Sequence, residues 1–240
     1  MSSEALAVTR VPDAVYEALR ESILSQREAP GSAITEQAVA ERFGVARPTA
    51  KVALERLVAD GLLRREAHKT ARVPELTRDD IVDLYANRAI VEEAALRTLA
   101  ADGAVPLAAI AAQRMLADAA RDAAPSAATT PLARADIAFH RALVEAQRSP
   151  RLARLHALLM GEIELCIGQV LGHRLMAIDD VVTQHQGILD AVAAGDPERA
   201  GSLTRAHIEG ARDRLLARYD AAQTPPPATQ ITEHPPEKAR

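Results

Sequence analysis

Residues 30–63 read PGSAITEQAVAERFGVARPTAKVALERLVADGLL, and this stretch determines how the first part of the chain folds. Thr35 precedes a run of good helix formers, so its hydroxyl can accept a hydrogen bond from an unpaired amide of the first turn. Gly44 can adopt the left-handed backbone conformation that ends many helices. The pattern therefore predicts a short helix over residues 36–43 that ends in a sharp turn.

A second helix of the same stretch is predicted to begin near Arg47. Pro48 is tolerated there because the first helical turn makes no intrahelical use of the N–H group that proline lacks. Asp60 and Gly61 end the segment. Two helices joined by a tight turn indicate a helix-turn-helix. The apolar residues of the second helix recur at the spacing of an amphipathic helix, and they are Ala50, Ala53, Leu54 and Leu57.

The flanking residues extend this unit on both sides. An amphipathic helix over residues 12–26 precedes it and stops at the Pro30-Gly31 turn. Two short runs on either side of a basic turn predict the two strands of a hairpin. These runs are Leu62-Leu63 and residues 71–73. Three helices followed by a β-hairpin are typical of a winged helix-turn-helix.

The charge distribution indicates nucleic acid as the partner of this unit. The chain of 240 residues has a net charge of −4, but residues 42–72 contain eight basic and three acidic side chains. In a winged helix-turn-helix the third helix enters the major groove, and Arg47 and Lys51 project from one side of it, opposite the apolar face. Solvated surface charge is the alternative interpretation. The predicted contacts to double-stranded DNA are Arg47, Pro48, Thr49, Lys51, His68, Lys69, Thr70 and Arg72.

The remainder of the chain, from Thr77 onward, consists of long helical segments separated by short breaks that contain glycine or proline. The chain has 11 Gly, no Trp and 2% aromatic residues, a composition that favours helices over strands. The predicted fold class is mostly α, with an N-terminal winged helix-turn-helix (three helices plus a short β-hairpin) followed by an all-α antiparallel bundle of about six helices. The predicted domains are residues 1–75, residues 76–220 and a proline-rich disordered tail over residues 221–240.

The sequence contains neither a signal-peptide pattern nor an apolar run of the roughly 18 residues that a membrane span needs. A cytoplasmic protein without a membrane partner is therefore expected. Cys166 is the one cysteine, and its apolar neighbours predict a small core residue rather than a reactive thiol.

Polar residues of the predicted bundle lie on apolar helix faces. Asp136 and His140 are four residues apart, so both point to the same side of one helix. His185 and His207 fall in the apolar registers of two later helices. Because buried polar side chains need partners, one divalent metal ion that binds all four is the favoured prediction, and hydrogen-bonded core residues are the alternative.

Three imidazoles and one carboxylate form a donor set that suits zinc, nickel, manganese or iron, with zinc the first expectation. The other histidines do not fit this pattern. His156 and His173 are expected at the surface or at the edge of the core, and His234 lies in the predicted tail.

The stretch over residues 30–63 resembles the N-terminal domain of the GntR superfamily of transcription regulators, whose motif is approximately PGxxLxExxLAxxxGVSRxPVRxALxxLxxxGLL. The resemblance implies that Arg47, Thr49 and Lys51 occupy DNA-contact positions. Lys51 stands where arginine is usual, and a lysine cannot make the bidentate contact of an arginine. The wing sequence AHKTAR, residues 67–72, lacks the glycine that the family usually places there.

Residues 78–218 resemble the FCD ligand-binding domain of the FadR-type GntR subfamily, in which a D-x3-H pair and two later histidines bind metal. The stretch NRAIVEEAAL is similar to a family R-x3-E pattern, which implies that Arg88 and Glu92 are effector-binding residues. Arg88 would hold a carboxylate bidentately. An ion pair between residues four apart on one helix is the alternative for these two side chains.

The combined prediction is a ligand-responsive transcription regulator, a repressor by the commoner behaviour of the family, that binds a palindromic operator as a homodimer. Its sensor domain would bind a divalent metal and a small organic acid, sugar acid or amino acid. An enzyme with a catalytic metal is the first alternative, but no HExxH motif is present and the DNA-binding pattern would be unexplained. A constitutive adaptor, the second alternative, would leave the buried polar set without a purpose.

Overall fold

The computed structural model of the protein describes residues 11–66, 69–122, 129–171 and 178–223. His68, His173 and His234 lie outside these ranges. The predicted tail also lies outside them, except for residues 221–223, which belong to the last helix.

The described residues form nine helices and two short strands, and this order confirms the predicted fold class. In chain order they are α1 (Val11–Leu24), β1 (Ala33–Ile34), α2 (Glu36–Phe43), α3 (Arg47–Ala59), β2 (Ala71–Arg72), α4 (Arg78–Asp102), α5 (Leu107–Asp122), α6 (Thr129–Glu145), α7 (Pro150–Leu171), α8 (Ile178–Ala193) and α9 (Pro197–Gln223).

The helix-turn-helix has the caps that its sequence predicts. The Thr35 hydroxyl accepts a hydrogen bond from the Ala38 amide at 3.1 Å. Gly44 has a φ of 62°, in the left-handed region where a side chain would be strained. The predicted apolar face of α3 is buried, and its members are Ala50, Ala53, Leu54 and Leu57.

The small sheet differs from the predicted hairpin. β2 pairs antiparallel with β1, which precedes α2, so that Ala33 lies opposite Arg72 and Ile34 lies opposite Ala71. On its other side β2 makes a single bridge, between Arg64 and Arg72. The wing is therefore anchored by a segment that lies before the helix-turn-helix in sequence.

The prediction that Leu62-Leu63 forms the first strand of a hairpin is wrong. The backbone amides of both residues donate to the Leu57 carbonyl, at 2.9 and 3.1 Å, and so complete the end of α3 instead of pairing with a strand. Both side chains are buried. The apolar pair marks the core beneath the wing.

The helical bundle begins with a capping box. The Thr77 hydroxyl accepts from the Asp80 amide at 3.1 Å, and the Asp80 carboxylate accepts from the Thr77 amide at 2.8 Å. From there α4 runs through the bundle and packs along α9. By length and composition, no single helix of the described ranges could cross a membrane, and only α4 and α5 taken together, bent by 118°, pass that test.

The helix-turn-helix unit, which consists of α1, α2, α3, β1 and β2, shares an apolar core with the bundle. One continuous cluster of buried side chains extends from α1 and α3 to α7 and α9, and it includes Leu19, Leu57, Ile163 and Ile208. Cys166 is part of this cluster and is buried, and burial raises the pKa of its thiol to about 12. At neutral pH this thiol is therefore protonated.

Candidate metal centre and nucleic-acid interface

The four polar residues that the sequence singles out come together inside the bundle. Asp136 and His140 lie on α6, His185 on α8 and His207 on α9. All four are buried, and each offers one ligand atom within 4.8 Å of the others. Three different helices thus bring a carboxylate and three imidazoles to one point.

The Nε2 atoms of the imidazoles face this common point. His185 Nε2 lies 3.3 Å from Asp136 Oδ1 and 3.3 Å from His207 Nε2. His140 Nε2 is 3.9 Å from the same carboxylate oxygen and has no hydrogen-bond partner within the described part of the chain. A buried ring nitrogen without a partner costs free energy unless a ligand satisfies it.

The opposite ring nitrogens of two histidines are held by oxygen acceptors. His140 Nδ1 lies 2.6 Å from Glu92 Oε2, and His207 Nδ1 lies 2.8 Å from Gln184 Oε1. A carboxylate or amide oxygen can only accept a hydrogen bond, so each Nδ1 is assigned the proton. Each Nε2 then has its lone pair directed toward the common point.

His185 is held in the same way through an anchored amide. Its Nδ1 lies 3.2 Å from Gln113 Oε1, and the Gln113 amide nitrogen donates to the Val182 carbonyl at 2.8 Å. The second hydrogen bond fixes which end of the amide faces the ring. His185 therefore also presents the lone pair of its Nε2.

The surroundings keep the imidazoles of His140 and His207 neutral. Burial lowers the pKa of His140 to about 4, and the charge of Arg88 acts in the same direction. Burial likewise holds the pKa of His207 well below its ordinary value. Burial alone would raise the pKa of Asp136, but the neighbouring His185, His140 and Arg88 outweigh it and lower that pKa. Neutral imidazoles and an ionised carboxylate are the forms that bind metals.

A second polar network adjoins the cluster. Glu92, fully buried on α4, accepts from Arg88 Nε at 2.8 Å and from His140 at 2.6 Å. His156 Nε2 lies 2.9 Å from Glu92 Oε1, the oxygen that also accepts from Arg88. Burial would raise the pKa of Glu92, but Arg88 and His140 hold it well below its ordinary value.

The prediction that His156 lies at the surface or the edge of the core is wrong, because its side chain is 1% exposed. Its position on α7 gave no sequence signal, since its partner Glu92 lies 64 residues away. Arg88 and Glu92 do form the ion pair of residues four apart on α4. The ion pair uses Nε of the guanidinium. Arg88 Nη2 is buried and has no partner among the described residues.

The donor set therefore fits a divalent metal. Three neutral imidazole nitrogens and one carboxylate oxygen are the ligand types of zinc and of the other first-row metals named above. The partnerless Nε2 of His140 is the atom that such an ion would satisfy. Each imidazole also has the outer hydrogen bond that orients metal-bound histidines in proteins.

The helix-turn-helix unit has a basic groove between α3 and the wing. The groove has a volume of about 670 Å³ and is lined by the start of α2, by Arg47, Lys51 and Glu55 of α3, by Arg65 at the base of the wing and by Lys69 of the wing. Pro48 is exposed in the first turn of α3, and Thr49 is half-buried beside it. The predicted contacts of α3 thus lie on an accessible face.

The predicted wing contacts have different surroundings. Lys69 pairs with Glu66, and Thr70 is exposed. Arg72 Nη1 donates to the Gly31 carbonyl at 2.9 Å. The arrangement presents a positively charged concave surface of the kind that follows a phosphate backbone.

Comparisons with known proteins point to one family. A family model for the FCD domain matches residues 83–210, and a model for bacterial regulatory proteins of the gntR family matches residues 12–73. The "Probable D-xylose utilization operon transcriptional repressor" of Paenarthrobacter nicotinovorans is 28% identical over 207 residues, which cover 86% of this chain and 89% of the relative.

Two further similarities extend over most of the chain. The HTH-type transcriptional regulator BphR of Paraburkholderia xenovorans (strain LB400) is 29% identical over 207 residues and 82% of each chain. The crystal structure of a transcriptional regulator GntR from Rhodococcus sp. RHA1 superposes with a TM-score of 0.70 at 27% identity, covering 87% of this chain and 99% of that one.

Proposed function

We infer that the protein is a DNA-binding transcription regulator and not an enzyme, because the chain belongs to the gntR family of bacterial regulatory proteins and contains an FCD domain. We propose that it is a homodimeric repressor whose FCD domain binds a divalent metal ion and a small organic acid. Binding of the acid would change the affinity of the protein for its operator. The proposal assigns the metal to Asp136, His140, His185 and His207.

The observation that supports metal binding most strongly is the approach of two imidazole nitrogens. His185 Nε2 and His207 Nε2 lie 3.3 Å apart. In each ring the proton is assigned to Nδ1, because Nδ1 faces an oxygen that can only accept a hydrogen bond. Two lone pairs at that separation repel each other in a buried site. A cation between these nitrogens and Asp136 removes the repulsion and provides Lewis-acidic binding for a carboxylate.

Arg88 supports the assignment of an acidic effector. Its guanidinium is buried, and only one of its three nitrogens bonds to Glu92. The Nη2 atom, which has no partner among the described residues, can donate to a carboxylate that binds beside the metal, and such charge-assisted bonds are the stronger hydrogen bonds of proteins. We therefore assign Arg88 to effector binding and Glu92 to positioning of Arg88 and His140.

The dimer and the repressor role rest on other grounds. One winged helix-turn-helix contacts too few base pairs to select a genomic site, whereas two units related by a two-fold axis can bind a palindrome. The Paenarthrobacter relative is named a repressor. A metal-bound and acid-bound bundle would then set the spacing between the two DNA-binding units.

Metal content tests the first part of the proposal. We expect the purified protein to contain about one divalent ion per chain by inductively coupled plasma mass spectrometry. His140→Ala should lose the ion, whereas His156→Gln should retain it because that side chain lies outside the four ligands. A folded wild-type protein that neither contains nor takes up a divalent metal would contradict the proposal.

Effector response tests the second part. A duplex selected by the protein from a random-sequence library serves as the operator probe, and small mono- and dicarboxylates are titrated while DNA binding is followed by fluorescence anisotropy. We expect at least one acid to change the DNA affinity by a factor of about 5 to 150. Chelation of the metal should abolish the response. Indifference of DNA affinity to every acid and to chelation would overturn the regulatory mechanism.

A further inference from the structure

Three arginines surround the base of the wing, and Arg65 is the one among them whose side chain has no partner among the described residues. Arg64 Nη2 lies 3.7 Å from an Asp80 oxygen and 3.5 Å from a Glu162 oxygen, so it faces the bundle. Arg72 donates to the Gly31 carbonyl. Arg65 has no hydrogen bond or ion pair within the described part of the chain, and its buried Nε is unsatisfied.

The backbone explains why neighbouring arginines differ in this way. Arg64 bridges to Arg72, so the chain is extended there and successive side chains point to opposite sides. Arg64 points toward α4 and α7. Arg65 points the other way, into the groove that it lines together with Arg47 and Lys51 of α3.

Arg65 also lines a second groove, whose other lining residues are Arg64, Glu66, Lys69, Thr70 and Arg72. This groove has a volume of about 650 Å³. Three residues line both grooves, namely Arg65, Lys69 and Thr70. Arg65 therefore lies where the two grooves meet.

The cations of the first groove are not equally available to a ligand. Lys51 lies 3.7 Å from Glu55, and Lys69 pairs with Glu66. Arg47 has no ion pair or hydrogen bond from its side chain to another described residue, and the same holds for Arg65. Two unpaired guanidinium groups at one concave surface provide the positive charge that attracts a phosphate.

We propose that Arg65 binds a backbone phosphate of double-stranded DNA, at the junction between the major groove that α3 enters and the neighbouring groove that the wing approaches. The inference rests on the DNA-binding function of the chain. A donor at the base of the groove reaches the outer edge of the duplex rather than the base edges. Arg65 therefore contributes to affinity and to the placement of the wing, and it does not read sequence.

The experiment uses the full-length protein and a mixed-sequence duplex of about 30 base pairs, with affinity measured by fluorescence anisotropy at several salt concentrations. Arg65→Gln removes the charge and retains most of the side-chain volume. Arg56→Gln is the matched control, because Arg56 is an exposed arginine of α3 that pairs with Asp13, lies over the Tyr16 ring at 4.2 Å and lines neither groove. Circular dichroism verifies that both variants are folded.

We expect Arg65→Gln to weaken binding by about tenfold near 0.1 M salt and to reduce the slope of log affinity against log salt by about 0.9. Arg56→Gln should leave that slope close to the wild-type value. An unchanged slope in Arg65→Gln, or an equal reduction in both variants, would overturn the phosphate contact while leaving DNA binding intact. Failure of the wild-type protein to bind duplex DNA would instead overturn the DNA-binding function on which the inference rests.

Discussion

At the scale of single residues, the outer hydrogen bonds of the histidines determine what the cluster can bind. Gln184 is not itself one of the four ligands, yet its carbonyl oxygen lies 2.8 Å from His207 Nδ1 and fixes the ring of His207. Without that acceptor the imidazole can rotate or move its proton to Nε2, and the nitrogen that faces the common point is then a donor instead of a ligand.

We therefore expect Gln184→Leu to weaken metal binding by about 10- to 100-fold, because outer-sphere partners contribute that much to the affinity of metal sites. Isothermal titration calorimetry with zinc measures the change. Gln186→Leu is the control, since Gln186 is an exposed residue of the same helix that bonds to Asp190. Equal zinc affinities for the two variants would contradict the role of Gln184.

The same residues show where sequence reasoning succeeds and where it ends. Asp136 and His140 could be paired because they lie four apart on one helix, and helix geometry places such residues on one side. Their outer partners could not be found in this way. Glu92 lies 48 residues before His140, and Gln113 lies 72 residues before His185. Only tertiary packing brings these acceptors to the rings.

At the scale of elements, local signals predicted the helices and missed the pairing of the strands. Capping residues and Gly or Pro breaks act within one turn, so the bounds of α2 and α3 followed from Thr35, Gly44 and Arg47. β1 has two residues, too few for an alternating pattern, and its partner lies beyond two helices. Whether the Arg65 side chain is available to a phosphate depends on this strand arrangement, so the sequence did not predict it.

The joint between the DNA-binding unit and the bundle is made largely by α7. Gln169 of this helix donates to the Pro74 carbonyl at 2.7 Å and accepts from the Leu76 amide at 3.2 Å, which fixes the connection between the two units. Glu164 pairs with Arg20 of α1. Gly161 allows closer approach than any other residue could, because a Cβ atom there would overlap the Asp60 carbonyl oxygen at the end of α3.

Gly161→Ala should therefore lower the free energy of unfolding by about 1 to 3 kcal/mol, as overpacking of a well-packed contact does. Urea unfolding followed by circular dichroism measures it. Gly187→Ala in α8 is the control, since a Cβ there would lie 3.8 Å from Leu203 Cδ1, an ordinary contact. Alanine is the better helix former by about 0.5 to 1 kcal/mol, so this variant should gain stability. A Gly161→Ala protein as stable as the wild type would contradict the close approach of α3 and α7.

At the scale of the whole molecule, the apolar core crosses the predicted boundary between residues 75 and 76. The cluster that contains Leu57 of α3 also contains Ile163 and Ile167 of α7. The bundle has a second cluster of its own, which includes Phe139 and Ile188 next to the histidines. Because α7 contributes to the shared core and also holds His156 against Glu92, it connects α3 to the polar network beside the histidine cluster. The domain boundary itself stays a prediction.

This connection predicts that metal binding stabilises the DNA-binding unit as well as the bundle. The shared core should make the chain unfold as one unit. Zinc at about 100 times its dissociation constant then adds about 2.7 kcal/mol to the free energy of unfolding. Every backbone amide that exchanges only through global unfolding is protected by the same amount. Hydrogen exchange of the buried backbone around Leu54 in α3 should then slow by about 100-fold, as should exchange around Ile188 in α8. Peptide-level mass spectrometry with zinc and with a chelator measures both. Slowing that is confined to α8 would mean that the unit around α3 opens independently, and a metal-dependent signal could not then reach the DNA-binding surface through the shared core.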